Sequence, residues 1–116
     1  MTKTRNRIDL AFGPMSSEVV EAVFRYSSNF KYPLMLIASR SQVDYGGGYV
    51  NKWTTLQYMR FIKKMRVKYP RADVRICRDH CGPGFNNNFT IQDVYKTIEA
   101  DILAGFDLIH IDFCLF

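Results

Sequence analysis

The sequence has no apolar run of the roughly 18 to 20 residues that a membrane-spanning helix needs. Its basic first segment, "MTKTRNRIDLAFG", carries Asp9 where a signal peptide would have its apolar region. These absences argue against a membrane partner and against secretion. We therefore expect a cytoplasmic protein.

Cysteine is scarce. Cys77, Cys81 and Cys114 are odd in number and lie in or beside apolar runs. This pattern indicates reduced thiols and not a disulfide framework. Zinc sites usually contain closer cysteine pairs such as C-x₂-C, which the chain lacks. We expect Cys77 in the core, and the role of Cys81 stays open.

Several sequence signals are missing. The triple glycine 46–48 has neither the Gly-Lys-Ser/Thr ending of a P-loop nor the spacing of a dinucleotide fingerprint, so it predicts a flexible loop. The 116 residues contain no repeat, linker or low-complexity segment. Residues 1–116 are therefore expected to form one domain.

Positive charge is in excess, with a formal net charge of +5. Such a balance fits an anionic partner, for which a phosphorylated sugar and a nucleic acid are the candidates. The basic residues are spread over "TKTRNR", "RFIKKMRVK" and "YPRADVR". This spread is typical of a solvated helix face, so we do not expect nucleic-acid binding.

Apolar runs and helical periodicities alternate along the chain. The predicted strands are 7–13, 32–39, 72–80 and 106–113, and the three segments between them carry apolar residues at helical spacing. The connections are short enough for right-handed crossovers to a parallel sheet. The sequence thus predicts an α/β fold of the order β-α-β-α-β-α-β.

Cap residues mark the helix ends. Ser16 or Ser17 precedes the first helix, Thr54 or Thr55 the second, and Thr90 and Asp93 form a capping box for the third. Gly105 ends the third helix. The expected buried stripes are Leu56, Met59, Ile62 and Met65 in the second helix and Ile91, Val94, Ile98, Ile102 and Leu103 in the third.

Polar residues follow three of the predicted strands. They are the segment 39–42, the pair Asp79-His80, and His110-x-Asp112. In a parallel α/β sheet the ligand site lies beyond the carboxyl ends of the strands. His110 and Asp112 are two apart and share a face, and inward polar groups there need partners. An alternative is that Asp79 caps the turn at Gly82 and His80 is a hydrogen-bonded strand-end histidine.

The motifs taken together resemble one family. "IASRSQVDYGGGYV", "DHCGPGF" and "ILAGFDLIHIDF" occur in the order and spacing of the non-catalytic subunit of class II tagatose-bisphosphate aldolase. The likeness covers nearly the whole chain from about Gly13 onward. It implies an aldolase-type (β/α)₈ TIM barrel, of which this chain would hold the first four β/α units.

The resemblance implies site residues and partners. Asp79 would exchange a proton with the substrate, His80 and His110 would bind zinc, and Gln42, Gly47, Gly48 and Asp112 would contact a phosphorylated sugar. Zinc would polarise the substrate carbonyl. The related subunit is thought to support a separate catalytic subunit, so a catalytic aldolase subunit is the expected partner.

A complete barrel needs about 250 residues, more than the 116 of this chain. We therefore expect an incomplete, truncated barrel in an accessory subunit that does not catalyse alone. Two alternatives are a zinc-dependent ketose-bisphosphate aldolase completed by a homo-oligomer, and a small open α/β module that binds a phosphorylated metabolite.

Overall fold

The computed structural model of the chain describes residues 10–82 and 90–112. Within them the elements alternate as β1 (Leu10–Phe12), α1 (Ser17–Phe30), β2 (Leu34–Ala38), α2 (Thr55–Lys68), β3 (Val74–Cys81), α3 (Ile91–Ala104) and β4 (Leu108–Ile111). The four strands form one parallel sheet in the order β1-β2-β3-β4. The predicted α/β fold with a parallel sheet is confirmed.

The helix boundaries follow from the cap residues. Ser16 accepts a hydrogen bond from the Val19 N–H and begins α1. Thr54 begins α2 through a capping box, and Thr90 begins α3 through the predicted box with Asp93. Gly105 ends α3 with a φ of 94°, a left-handed conformation that glycine adopts without a steric penalty.

The hydrophobic core lies between the sheet and the helices. In the sheet it is built from alternate residues of β2 and β3, which face the helices. Because α2 contacts both α1 and α3, the helices form one layer on that face. The core residues are Val20, Val23, Phe24, Leu34, Leu36, Ala38, Val43, Tyr58, Met59, Ile62, Met65, Val74 and Ile76.

Two of the predicted buried stripes are partly wrong. In α2, Leu56 is 57% exposed, and Tyr58 packs in the core instead. In α3, Ile102 and Leu103 are 64% and 80% exposed. The buried face of α3 is instead formed by Val94, Thr97 and Asp101. The Asp101 carboxylate pairs with the buried guanidinium of Arg78 in β3, as described below.

The opposite face of the sheet carries Met35, Ile37, Leu108 and His110. Met35 and Ile37 are partly buried, whereas Leu108 and His110 are exposed. This side of the sheet is therefore accessible, most of all near β4. The predicted strand positions 7–9 and 113, the loop positions Pro83 and Gly84, and Cys114 lie outside the described residues.

No helix in the described parts of the chain combines the length and the apolar character needed to cross a membrane.

Candidate metal centre at the strand ends

A β-bulge in β3 builds the polar end of the sheet. Arg78 pairs with Ile109 and Cys81 pairs with Ile111, so two residues of β3, Asp79 and His80, lie opposite the single residue His110 of β4. His80 has a φ of 48°, in the left-handed region that residues other than glycine seldom adopt. The bulge brings Asp79, His80 and His110 to one place.

The Asp79 carboxylate lies between the two imidazole rings. Its Oδ2 atom is 3.5 Å from Nε2 of His80, and its Oδ1 atom is 3.5 Å from Nδ1 of His110. The three residues each offer a ligand atom, and these atoms lie within 4.8 Å of one another. The side chains are 32%, 48% and 52% exposed in sequence order, so solvent and ligands can reach them.

This donor set fits a divalent transition metal. Two imidazoles and one carboxylate are a common catalytic zinc set, which leaves a further position open. Tetrahedral zinc with ligands at about 2.0 Å would hold the ligand atoms about 3.3 Å apart. The two carboxylate–imidazole distances here are 3.5 Å, one from each Asp79 oxygen, and the three ligand atoms lie within 4.8 Å of one another, so the set would have to contract around an ion. We name Asp79, His80 and His110 the metal cluster.

Asp112 lies on the other side of the His80 ring. Its Oδ2 atom is 3.1 Å from Nδ1 of His80, and its backbone N–H donates to the Cys81 carbonyl at 3.1 Å. The Asp112 side chain is 16% exposed. The structure thus brings together four of the residues expected at the site, Asp79, His80, His110 and Asp112.

The two described cysteines are buried. Cys77 is 1% exposed, as expected, and Cys81 is fully buried. Burial raises the pKa of the Cys77 thiol, and it raises the pKa of Cys81 to about 11. Among the described residues, the group placed to hold a metal ion does not include Cys81.

Gln42, Gly47 and Gly48 lie in the loop between β2 and α2, which we call the β2–α2 loop (residues 39–54). The Gln42 side chain closes the loop on itself, since its Oε1 accepts from the Ser39 N–H at 2.8 Å. A Cβ atom at Gly48 would lie 1.9 Å from the Gln42 carbonyl oxygen, so only glycine fits there. Their predicted contact with a substrate stays a prediction.

A buried arginine holds this loop on the sheet. Arg78 of β3 donates from Nη1 to the carbonyls of Ser39, at 2.9 Å, and Val43. Its Nε and Nη2 donate to the carboxylate of Asp101 in α3, at 2.7 and 2.8 Å. The sequence analysis did not predict this pair. The sequence feature that could have revealed it is the position of Arg78, a charged residue on the helix-facing side of a buried strand.

A second set of contacts ties the loop to α3. Asp44 accepts from Nε of Arg40 at 3.1 Å and from the Thr97 hydroxyl at 2.7 Å. The Tyr45 hydroxyl donates to the Asp93 carboxylate at 2.7 Å, which lowers the pKa of Asp93 together with hydrogen bonds from Thr90. The β2–α2 loop is therefore fixed from both β3 and α3.

Comparison with solved structures shows a likeness in fold. No protein-family model matches the chain. A crystal structure from Sinorhizobium meliloti 1021, described as a probable tagatose 6 phosphate kinase, matches with a TM-score of 0.77 and 26% sequence identity. The match covers 92% of this chain and 29% of that one. The chain thus shares its α/β fold with less than a third of a longer protein.

Proposed function

We propose that the chain is a tagatose-bisphosphate aldolase subunit-like protein of carbohydrate metabolism, in which the metal cluster binds zinc. The observation that carries the proposal is the convergence of Asp79, His80 and His110 at the carboxyl ends of β3 and β4. The motif resemblance supports the same class. The matched crystal structure adds support, because its description also concerns phosphorylated tagatose.

The sheet supports membership in a barrel. The strands follow one another in sequence order, all are parallel, and the helices form one layer. Eight such units closed into a ring make a (β/α)₈ barrel, whose inner face would here be the side of Met35, Ile37, Leu108 and His110. The chain would then provide four of the eight units.

The two outer strands suggest where other units attach. β1 is exposed along its length, and Leu10 and Phe12 form an apolar groove with Val19 and Tyr26 of α1. At the other end Leu108 and Ile111 of β4 are also exposed. A catalytic aldolase subunit would cover these edges in an accessory protein, and a second copy would cover them in a homo-oligomer.

Two roles compete for Asp79. Zinc, when bound, would polarise a substrate carbonyl and stabilise an enediolate. His80 and His110 would hold the ion, and Asp79 would either complete the ligand set or exchange a proton with the substrate hydroxyl. Its position between both imidazoles favours the ligand role, since each carboxylate oxygen faces one ring.

Zinc analysis on a size-exclusion peak tests the proposal. We expect about one zinc per chain in the wild type and none in His80→Ala or His110→Ala. Asp79→Asn separates its two roles, because loss of zinc indicates a ligand whereas retained zinc with lost aldol cleavage indicates the proton-exchange group. A wild-type protein that binds no zinc would contradict the proposed metal site.

Activity assays then distinguish the functional classes. Aldol cleavage of tagatose 1,6-bisphosphate by the isolated chain would indicate an independent lyase formed by oligomerisation. An accessory subunit would show no cleavage by itself, but it would raise the cleavage rate of a catalytic subunit to which it is added. The description of the matched structure makes a sugar-phosphate kinase the second candidate, which ATP-dependent phosphorylation of tagatose 6-phosphate would identify.

A further inference from the structure

The two nitrogens of the His80 ring have different neighbours. Nδ1 is 3.1 Å from the Asp112 carboxylate, a hydrogen-bonding distance. Nε2 is on the side of the other two members of the metal cluster, 3.5 Å from the Asp79 carboxylate. A neutral imidazole carries one proton, so the group that binds Nδ1 decides which nitrogen has a free lone pair.

Asp112 is well held for this task. Its side chain is more buried than that of His80, at 16% against 48% exposure, and its backbone N–H is fixed on the Cys81 carbonyl. The carboxylate can only accept a hydrogen bond when ionised, so it requires the proton on Nδ1. The neutral ring then has its lone pair on Nε2, directed at the metal cluster.

We propose that Asp112 is a positioning residue that holds His80 in the Nδ1–H tautomer and aims Nε2 at the metal. This inference rests on the metal site of the proposed function and assigns Asp112 a role different from substrate contact. Carboxylates that accept from a metal-binding histidine fix its orientation and raise its basicity as a ligand.

The hydrogen bond of His80 goes to a carboxylate outside the metal cluster. His110 is placed differently, because the carboxylate near its Nδ1 belongs to Asp79, a member of the metal cluster itself.

The first test needs no metal. Long-range ¹⁵N–¹H NMR of the metal-free protein at alkaline pH reports which nitrogen of His80 carries the proton. We expect Nδ1–H in the wild type and a shift toward Nε2–H in Asp112→Ala. An Nε2–H tautomer in the wild type, or an unchanged tautomer in Asp112→Ala, would overturn the inference.

The second test measures zinc affinity by competition with a chelating dye. We expect Asp112→Ala to bind zinc about 10- to 100-fold more weakly, the usual effect of losing such a partner. Asp112→Asn should lie between Asp112→Ala and the wild type, because its amide oxygen can still accept from Nδ1. Glu99→Gln is the matched control, since it removes one negative charge from the exposed surface of α3.

The two tests separate two failures. If the wild type shows the Nδ1–H tautomer but binds no zinc, the metal site fails while the orientation of His80 by Asp112 stands. If zinc binds and Asp112→Ala matches the wild type in affinity, the positioning role is wrong. Urea unfolding of each variant checks that a loss of affinity does not come from a loss of fold.

Discussion

Arg78 and Asp101 form a two-pronged ion pair from which solvent is fully excluded. Both side chains are 0% exposed, and their two hydrogen bonds measure 2.7 and 2.8 Å. The remaining guanidinium nitrogen binds carbonyls of the β2–α2 loop. One residue of β3 therefore joins the sheet, a helix and the loop.

We expect Asp101→Ala to lower the free energy of unfolding by about 3–5 kcal/mol, because it leaves a buried guanidinium without its counter-charge. Urea denaturation measures this loss. The double variant Arg78→Met/Asp101→Leu removes both charges and should be more stable than Asp101→Ala. If the single variant unfolds like the wild type, the pair is not buried in solution.

The left-handed backbone at His80 can be tested apart from its imidazole. His80→Gly and His80→Ala both remove the ring, but only glycine adopts a φ of 48° without strain. We expect His80→Gly to exceed His80→Ala in unfolding free energy by about 1 kcal/mol. Equal stabilities, or a more stable alanine variant, would argue against the bulge geometry.

The β2–α2 loop offers a matched pair of glycines. A methyl group at Gly48 would collide with the backbone of Gln42 and Val43, whereas at Gly46 it would meet no atom within 4 Å. We expect Gly48→Ala to cost about 1–3 kcal/mol in urea unfolding. Gly46→Ala should change stability by less than about 0.5 kcal/mol. A tolerated Gly48→Ala would instead point to a looser loop.

The cap of α3 should make stability depend on acid pH. Hydrogen bonds from Tyr45 and Thr90 lower the pKa of Asp93 below its usual value of about 4. A carboxylate with a lowered folded-state pKa stabilises the fold above its unfolded pKa and loses that effect as the pH falls through the folded value. The urea midpoints of wild type and Asp93→Asn should therefore converge as the pH drops below about 4. A gap that stays constant with pH would exclude this carboxylate as the cause.

The local signals in the sequence were sufficient for the architecture. Thr54, Thr90 and Gly105 mark helix ends through hydrogen bonds to nearby backbone, and such signals act within a few residues. The buried face of α3 could not be read in the same way. The apolar Ile102 and Leu103 suggested one face, but the ion pair of Asp101 with Arg78 fixes another, and that contact spans 23 residues.

The candidate site was predictable only in part. The carboxyl ends of parallel strands meet at one edge, so Asp79, His80, His110 and Asp112 were expected together. Which side of each ring faces which carboxylate was not predictable. That detail depends on the bulge and on the positive φ of His80, and no residue type in "RICRDHC" requires either.

The two-against-one pairing in β3 makes the metal cluster sensitive to chain length as well as to residue type. Deleting one residue between Arg78 and Cys81 would restore a regular ladder with β4 and leave a single residue opposite His110. Because Asp79 and His80 are the only residues between Arg78 and Cys81, such a deletion removes one ligand and also changes the position of the other relative to His110.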